Sequence, residues 1–213
     1  MLPNTQIEID NFLVFSLLTL SFFLIGILRA YYWKHTKLLI LASFRYRYAS
    51  QYLRQDNAFT ERVNWITFIV LLINFSLLFL YKNNSIYLLE FIIVVSSISF
   101  YYLLKFLVIN FLGKLLFIHD VTRLTVFFSY LSDKSLAIII FPLILVLYFL
   151  AFDINLILIN LVFIVGLIFL LFKSFWIWRV GTNSFGISSF YIFLYLCILE
   201  LPPFVLITKG FFY

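Results

Sequence analysis

The sequence is poor in the residues that bind metals, form cross-links or carry out catalysis. It has one cysteine, Cys197, and two histidines, His35 and His119. One cysteine excludes an intramolecular disulfide, and so few ligands suit neither a zinc cluster nor paired haem ligands along membrane helices. Nucleotide-binding, zinc-protease and serine-hydrolase motifs are also missing. The sequence therefore predicts no metal, no cofactor and no catalytic residue, and it favours a protein that is not an enzyme.

Charge is equally scarce. Only 11% of the 213 residues are charged, while 65% are apolar and 29 are phenylalanine. A soluble domain is about half apolar and about a quarter charged, so the excess apolar surface must face lipid. The alternating strands of an outer-membrane barrel are missing as well. The predicted fold class is all-α, a polytopic helical membrane protein.

Long apolar runs divide the chain into about six transmembrane helices within a single membrane domain, residues 1–213. Each run is close to the ~20 residues that cross a bilayer. The predicted spans cover residues 12–28, 63–80, 86–108, 136–152, 154–172 and 190–207.

The basic residues predict the orientation of these spans. All 15 Lys and Arg residues except Lys82 and Lys209 fall on one side of the six-span topology. The positive-inside rule makes that side cytoplasmic and places both termini outside the cytoplasm. This distribution accounts for the net charge of +6 without a nucleic-acid partner. The expected partners are the lipid bilayer and other membrane proteins.

Two cytoplasmic segments lie between the spans. Segment 31–61 interleaves arginines and aromatics with leucines, which predicts an amphipathic helix along the headgroups, where Arg45 and Arg47 attract anionic lipid rather than a substrate. Segment 109–133 is apolar but interrupted by polar residues, and it favours an interfacial helix over a re-entrant segment. It carries His119, Asp120 and Arg123. No nucleophile or metal ligand converges on these three residues, so we expect interfacial side chains near the headgroups.

Two ionisable residues fall inside predicted spans. Glu200 precedes Pro202 and Pro203, which remove two backbone donors and break the helix. A buried acid beside a broken helix is typical of proton or cation pathways, but the pattern slightly favours a protonated glutamate bonded to a neighbouring helix. A third alternative is that the prolines end the span early and place Glu200 nearer the outer interface. Lys105 lies near the cytoplasmic end of the third span. We expect its side chain to reach the headgroups, with an internal ion pair as the alternative.

Three stretches of the sequence resemble a known family. They are FYIFLYLCILELPPFVLITK at 190–209, YYLLKFLVINFLGKLLF at 101–117 and FRYRYASQYL at 44–53. Together they resemble an uncharacterised family of Bacteroidota membrane proteins, a domain-of-unknown-function family with a C-terminal LYLCxLExxP pattern. The resemblance implies a Gram-negative inner membrane with periplasm outside, and it implies no activity.

Three functions are compatible with these features. The leading hypothesis is a non-enzymatic inner-membrane subunit or assembly factor of a larger envelope complex, such as a protein-export or secretion machine. The second hypothesis is a small transporter or proton-coupled carrier that uses Glu200, together with Lys105. A less favoured third is a lipid-headgroup enzyme that uses His119, Asp120 and Arg123.

Overall fold

The described part of the chain is helical except at Tyr32 and Tyr87. A computed structural model describes residues 11–44, 48, 52, 58–82, 87–115, 119–149 and 155–185. Within these ranges lie the helices α1 (Asn11–Tyr31), α2 (Trp33–Phe44), α3 (Ala58–Lys82), α4 (Leu88–Leu115), α5 (His119–Phe149) and α6 (Asn155–Phe185).

Five of these helices are long and apolar enough to cross a membrane. The candidate spans, sought only among the described residues, are Phe12–Tyr31, Glu61–Tyr81, Leu88–Phe111, Ser129–Phe149 and Ile157–Arg179. Helices suit this setting because each satisfies its backbone hydrogen bonds internally, without water. The five stretches overlap the first five predicted spans. The sixth predicted span, 190–207, lies outside the described residues.

Helices α3 and α5 form the centre of the bundle. Buried residues make up 56% of the apolar window of α3 and 44% of that of α5, but only 17% for α4 and α6. Helix α5 packs against α2, α3, α4 and α6, and α3 also packs against α1. The outer helices present large apolar side chains such as Phe22, Phe100 and Ile164 to the surroundings. In lipid these exposed faces need no further cover.

Hydrogen bonds between helices hold the centre together. Ser21 of α1 donates to Oδ1 of Asn74 on α3 at 2.9 Å, and Nδ2 of Asn74 donates to the carbonyl of Ala137 on α5 at 2.9 Å. Both Ser21 and Asn74 are buried. Such bonds satisfy polar side chains that apolar surroundings cannot. The hydroxyl of Tyr148 adds a further link to the carbonyl of Leu77, at 2.8 Å.

The structure describes helical residues in both segments predicted to lie at the interface. Helix α2 packs against the bundle through Leu39 and Ala42, and the Ser43 hydroxyl donates to that of Ser135 at 2.7 Å. Residues 109–133 do not form one separate helix, because α4 continues to Leu115 and α5 already begins at His119. No glycine or proline interrupts residues 119–141, so a single helix continues into the fourth candidate span.

Candidate functional site

Asp133 is the centre of a charged cluster between three helices. Its Oδ1 lies 2.9 Å from Nζ of Lys173 on α6, and its Oδ2 lies 3.5 Å from Nζ of Lys105 on α4. The Tyr102 hydroxyl also donates to Oδ2, at 3.3 Å. The contact with Lys173 has the length of a charge-assisted hydrogen bond, whereas the contact with Lys105 is a looser ion pair.

The three helices bring these side chains to the same depth. Lys105 is six residues before the end of its candidate span at Phe111, and Lys173 is six before the end of its own at Arg179. Asp133 is four residues after the start of its span at Ser129. At a rise of about 1.5 Å per residue, the cluster lies about 6–9 Å inside these ends. The alternating direction of α4, α5 and α6 places all three ends on one side of the bundle.

Burial makes this cluster energetically demanding. Lys105 is only 1% exposed and Lys173 only 6%, and the side chain of Asp133 is 19% exposed. An isolated charge at such a place loses several kcal/mol of hydration. The carboxylate offsets part of that cost for both ammonium groups, so removing it would leave two like charges close together. The cluster is therefore a unit whose members depend on one another.

Tyrosines surround the cluster on the α4 side. Nζ of Lys105 lies 5.8 Å from the ring centroid of Tyr101, within the range of a cation–π contact. The hydroxyl of Tyr130 donates to the backbone carbonyl of Tyr102 at 2.6 Å and thereby joins α5 to α4. These contacts help to hold α4 next to Asp133.

The cluster lies at one end of a cavity of about 500 Å³ among α3, α4, α5 and α6. Lys105, Asp133 and Lys173 all contribute to its lining. The other lining residues are predominantly apolar, and they include Leu78, Phe79, Ile98, Ile140, Val162 and Phe163. A concave apolar site of this size with a few convergent polar groups is typical of small-molecule binding sites.

A second polar group lies behind Asp133, on the α3 side of α5. The amide oxygen of Asn64 accepts hydrogen bonds from the Tyr52 hydroxyl at 3.1 Å and from Nζ of Lys134 at 3.2 Å. Burial raises the pKa of the Tyr52 hydroxyl, and the hydrogen bond to Asn64 offsets part of that rise. Neither Asn64 nor Lys134 lines the cavity, so this group stabilises the bundle rather than the site.

The structure corrects one expectation about the candidate residues. The side chain of Lys105 does not extend to the headgroups. It turns into the bundle and forms the internal ion pair that was the alternative, with Asp133 as its partner. The physical reason is that a carboxylate lies within reach at the same depth, on a helix that begins earlier than predicted.

For the other candidate residues from the sequence, the structure describes either the backbone alone or no atoms. Glu200, Pro202 and Pro203, together with Arg45 and Arg47, lie outside the described residues. His119, Asp120 and Arg123 occupy the first turns of α5, where only the backbone is described. Among the side chains that are described, no group of three or more His, Cys, Asp or Glu residues could hold a metal ion.

Sequence reasoning missed Asp133 and Lys173 as site residues. Asp133 is the last residue of the predicted interfacial segment, and Lys173 follows the fifth predicted span as one of the basic residues of the positive-inside pattern. One signal links them to Lys105. All three are charged residues of mixed sign, next to apolar runs, at the predicted cytoplasmic ends of their helices.

Apolar helices of spanning length, packed around a buried charged cluster, define this chain as a multi-pass helical membrane protein. It belongs to the DUF4271 family, described as a domain of unknown function, whose family model matches residues 14–211. Comparison with curated proteins and with solved structures gave no match.

Proposed function

We propose that this protein is a small membrane carrier that binds its substrate in the cavity among α3–α6. The observation that supports the proposal is the Lys105–Asp133–Lys173 cluster at one end of that cavity. Ionisable residues within transmembrane helices are costly and usually line pathways for substrates or ions. A cluster with a purely structural role would need no adjoining space. This geometry favours the carrier over the accessory subunit, which reverses their order from the sequence alone.

In this proposal the carrier resides in the inner membrane of a Gram-negative Bacteroidota cell, with both termini in the periplasm. The support is the distribution of basic residues, which makes the cluster end of α4 and α6 cytoplasmic. Reporter enzymes fused after Tyr213 test this orientation. A periplasmic reporter is expected to be active, and activity of a strictly cytoplasmic reporter would reverse the orientation.

Glu200 is the proposed coupling acid of this carrier. Its support comes from the sequence, where the acid precedes Pro202 and Pro203 within a long apolar run. A carboxylate that must cycle its proton cannot be replaced by an amide. We therefore expect Glu200→Gln to remove the physiological function while leaving the protein at its normal level in the membrane. Full function of this variant would exclude proton coupling through Glu200.

The test of the carrier uses two glycines. Gly166 lines the cavity, and a side-chain carbon added there would meet no heavy atom within 4 Å beyond its chain neighbours and the nearby backbone of its own helix; the same holds at Gly26 on α1. Gly166→Leu therefore adds a bulky side chain to the cavity lining from an unobstructed first carbon, and Gly26→Leu is its matched control. In a strain lacking the gene, we expect Gly26→Leu to restore fitness and Gly166→Leu to fail at equal protein level. Full restoration by Gly166→Leu would overturn the proposal.

An accessory subunit of an envelope complex, for example in protein export or secretion, is the second candidate. It is supported by the large exposed apolar side chains of the outer helices, such as Phe12, Phe23 and Leu89. Partner helices would pack on such faces, and lipid would cover them equally well. Native sizing after gentle detergent extraction distinguishes the accessory subunit from a protein that works alone. A stable co-purifying partner would support the subunit, and a protein that migrates alone would exclude it.

A further inference from the structure

Basic and aromatic side chains form one row where α1 passes into α2. Arg29, Trp33 and Lys37 recur at intervals of four residues. The helical pattern of backbone hydrogen bonds continues across the bend at Tyr32. The Tyr32 amide donates to the carbonyl four residues earlier at 3.1 Å, and the Tyr32 carbonyl accepts from the amide four residues later at 2.9 Å. Residues four apart therefore follow one another along the same face.

Lys34 extends this row to a small patch at the membrane surface. It precedes Lys37 by three residues and so shares its face of α2. The side chains of Arg29, Trp33, Lys34 and Lys37 are all exposed, and we call these four residues the α1–α2 patch. The candidate span of α1 ends at Tyr31, so the patch lies within about 9 Å of that end along the helices. This is the level of the lipid headgroups.

Packing holds the patch in place. On the buried face of α2, Leu39 is fully buried, and the Ser43 hydroxyl donates to that of Ser135 on α5 at 2.7 Å. Within the patch, the guanidinium carbon of Arg29 lies 5.7 Å from the ring centroid of Trp33, within the range of a cation–π contact. Tryptophan is enriched at membrane interfaces, because its ring suits the hydrocarbon boundary and its N–H group suits water. The patch therefore presents its charges to the headgroups from a helix that is packed on the bundle.

The basic side chains of the patch are separate from the cavity and its charged cluster. Among the described residues, ion pairs join Asp133 to Lys105 and Lys173, and the three basic residues of the patch form none. No residue of the patch lines the cavity. A basic side chain near the membrane surface strengthens the attraction to anionic lipid by a factor of about five. A guanidinium can also donate two parallel hydrogen bonds to one phosphate.

We propose that the α1–α2 patch binds the headgroup of an anionic phospholipid. The lipid phosphate accepts hydrogen bonds from Arg29 and from the ammonium groups of Lys34 and Lys37, and Trp33 packs against the first carbons of the acyl chains. A zwitterionic phospholipid would bring its own cationic group next to these side chains and so bind less tightly. The inference goes beyond the proposed carrier and does not rest on it, because the patch and the cavity share no residue.

Native mass spectrometry of the full-length protein in neutral detergent tests the preference for an anionic headgroup. The probes are dioleoyl phosphatidylglycerol and dioleoyl phosphatidylcholine, which carry the same acyl chains and differ in headgroup charge. We expect the phosphatidylglycerol to bind about tenfold more tightly than the phosphatidylcholine. Equal binding of the two lipids would overturn the proposal.

Variants locate the binding on the protein. We expect Lys34→Gln and Lys37→Gln each to weaken phosphatidylglycerol binding by about fivefold, and Lys37→Arg to bind like the wild type because it keeps the charge. Lys114→Gln is the matched control, since it removes the same charge from an exposed lysine near the end of α4. We expect it to leave binding unchanged. A loss for Lys114→Gln as large as that for Lys37→Gln would show attraction by the overall charge of the protein, and it would overturn the assignment of a site to the patch.

Discussion

Nζ of Lys173 lies 2.9 Å from Oδ1 of Asp133, and this contact joins α6 to α5 across 40 residues of sequence. Both side chains belong to candidate membrane spans. A single buried charge costs several kcal/mol of hydration free energy, and an opposite charge in contact offsets part of that cost. The pair therefore constrains how the two helices pack. The cavity and its charged end follow from that packing.

The link between α1, α3 and α5 predicts a graded loss of stability. Asn74→Ala removes the hydrogen bonds to Ser21 and Ala137, whereas Ser21→Ala removes only the first. Interhelical hydrogen bonds in membrane proteins contribute about 0.6–1.7 kcal/mol each. We expect Asn74→Ala to lower the free energy of unfolding in detergent by about 1–3 kcal/mol, and Ser21→Ala by less. Equal stability of Asn74→Ala and wild type would contradict this hydrogen-bonded link.

Helix α2 predicts a second stability effect. Leu39 is fully buried, whereas Leu20 on α1 is 47% exposed and serves as the control. Leucine-to-alanine changes in a packed core cost about 2–5 kcal/mol. We expect Leu39→Ala to lower the thermal unfolding midpoint clearly and Leu20→Ala to change it little. Similar small effects of both would mean that α2 only rests on the headgroups, as the amphipathic pattern alone suggests.

Tyr52 predicts a pH dependence of stability. Its folded-state pKa is raised above the ordinary 10.0, so the unfolded chain loses this proton first as the pH rises. The stabilisation by Tyr52 is complete below pH 10.0 and declines above it. At neutral pH, Tyr52→Phe should cost about 0.5–1.5 kcal/mol through the lost hydrogen bond to Asn64. We expect the difference in unfolding free energy between wild type and variant to shrink above pH 10.0. A constant difference would contradict the assigned environment.

The sequence predicts the helical membrane fold because hydrocarbon imposes a simple length and composition rule. Phe12–Tyr31 and Glu61–Tyr81 satisfy that rule without reference to any other part of the chain. The start of α5 does not follow from it. A helix can continue beyond the bilayer, and neither hydropathy nor the polar residues near His119 mark where it begins.

The candidate site is harder to predict than the fold because it depends on which helices are neighbours. The depth of Lys105 follows from its position in an apolar run, but its partner Asp133 is 28 residues away on another helix. The positive-inside rule predicts a basic residue at the position of Lys173 whether or not its side chain is buried, so the sequence does not indicate its burial. Pairing of charges across helices is a property of packing, and composition does not encode it.

A double-mutant cycle between Asp133 and Lys173 tests the central claim most directly, namely that these two charges meet inside the bundle. Unfolding free energies are measured in detergent for the wild type, Asp133→Asn, Lys173→Gln and the double variant, with exposed Lys114→Gln replacing Lys173→Gln in a control cycle. We predict a coupling energy of about 1–3 kcal/mol for Asp133 with Lys173 and about zero for Asp133 with Lys114. Additive effects in the first cycle would contradict the claim.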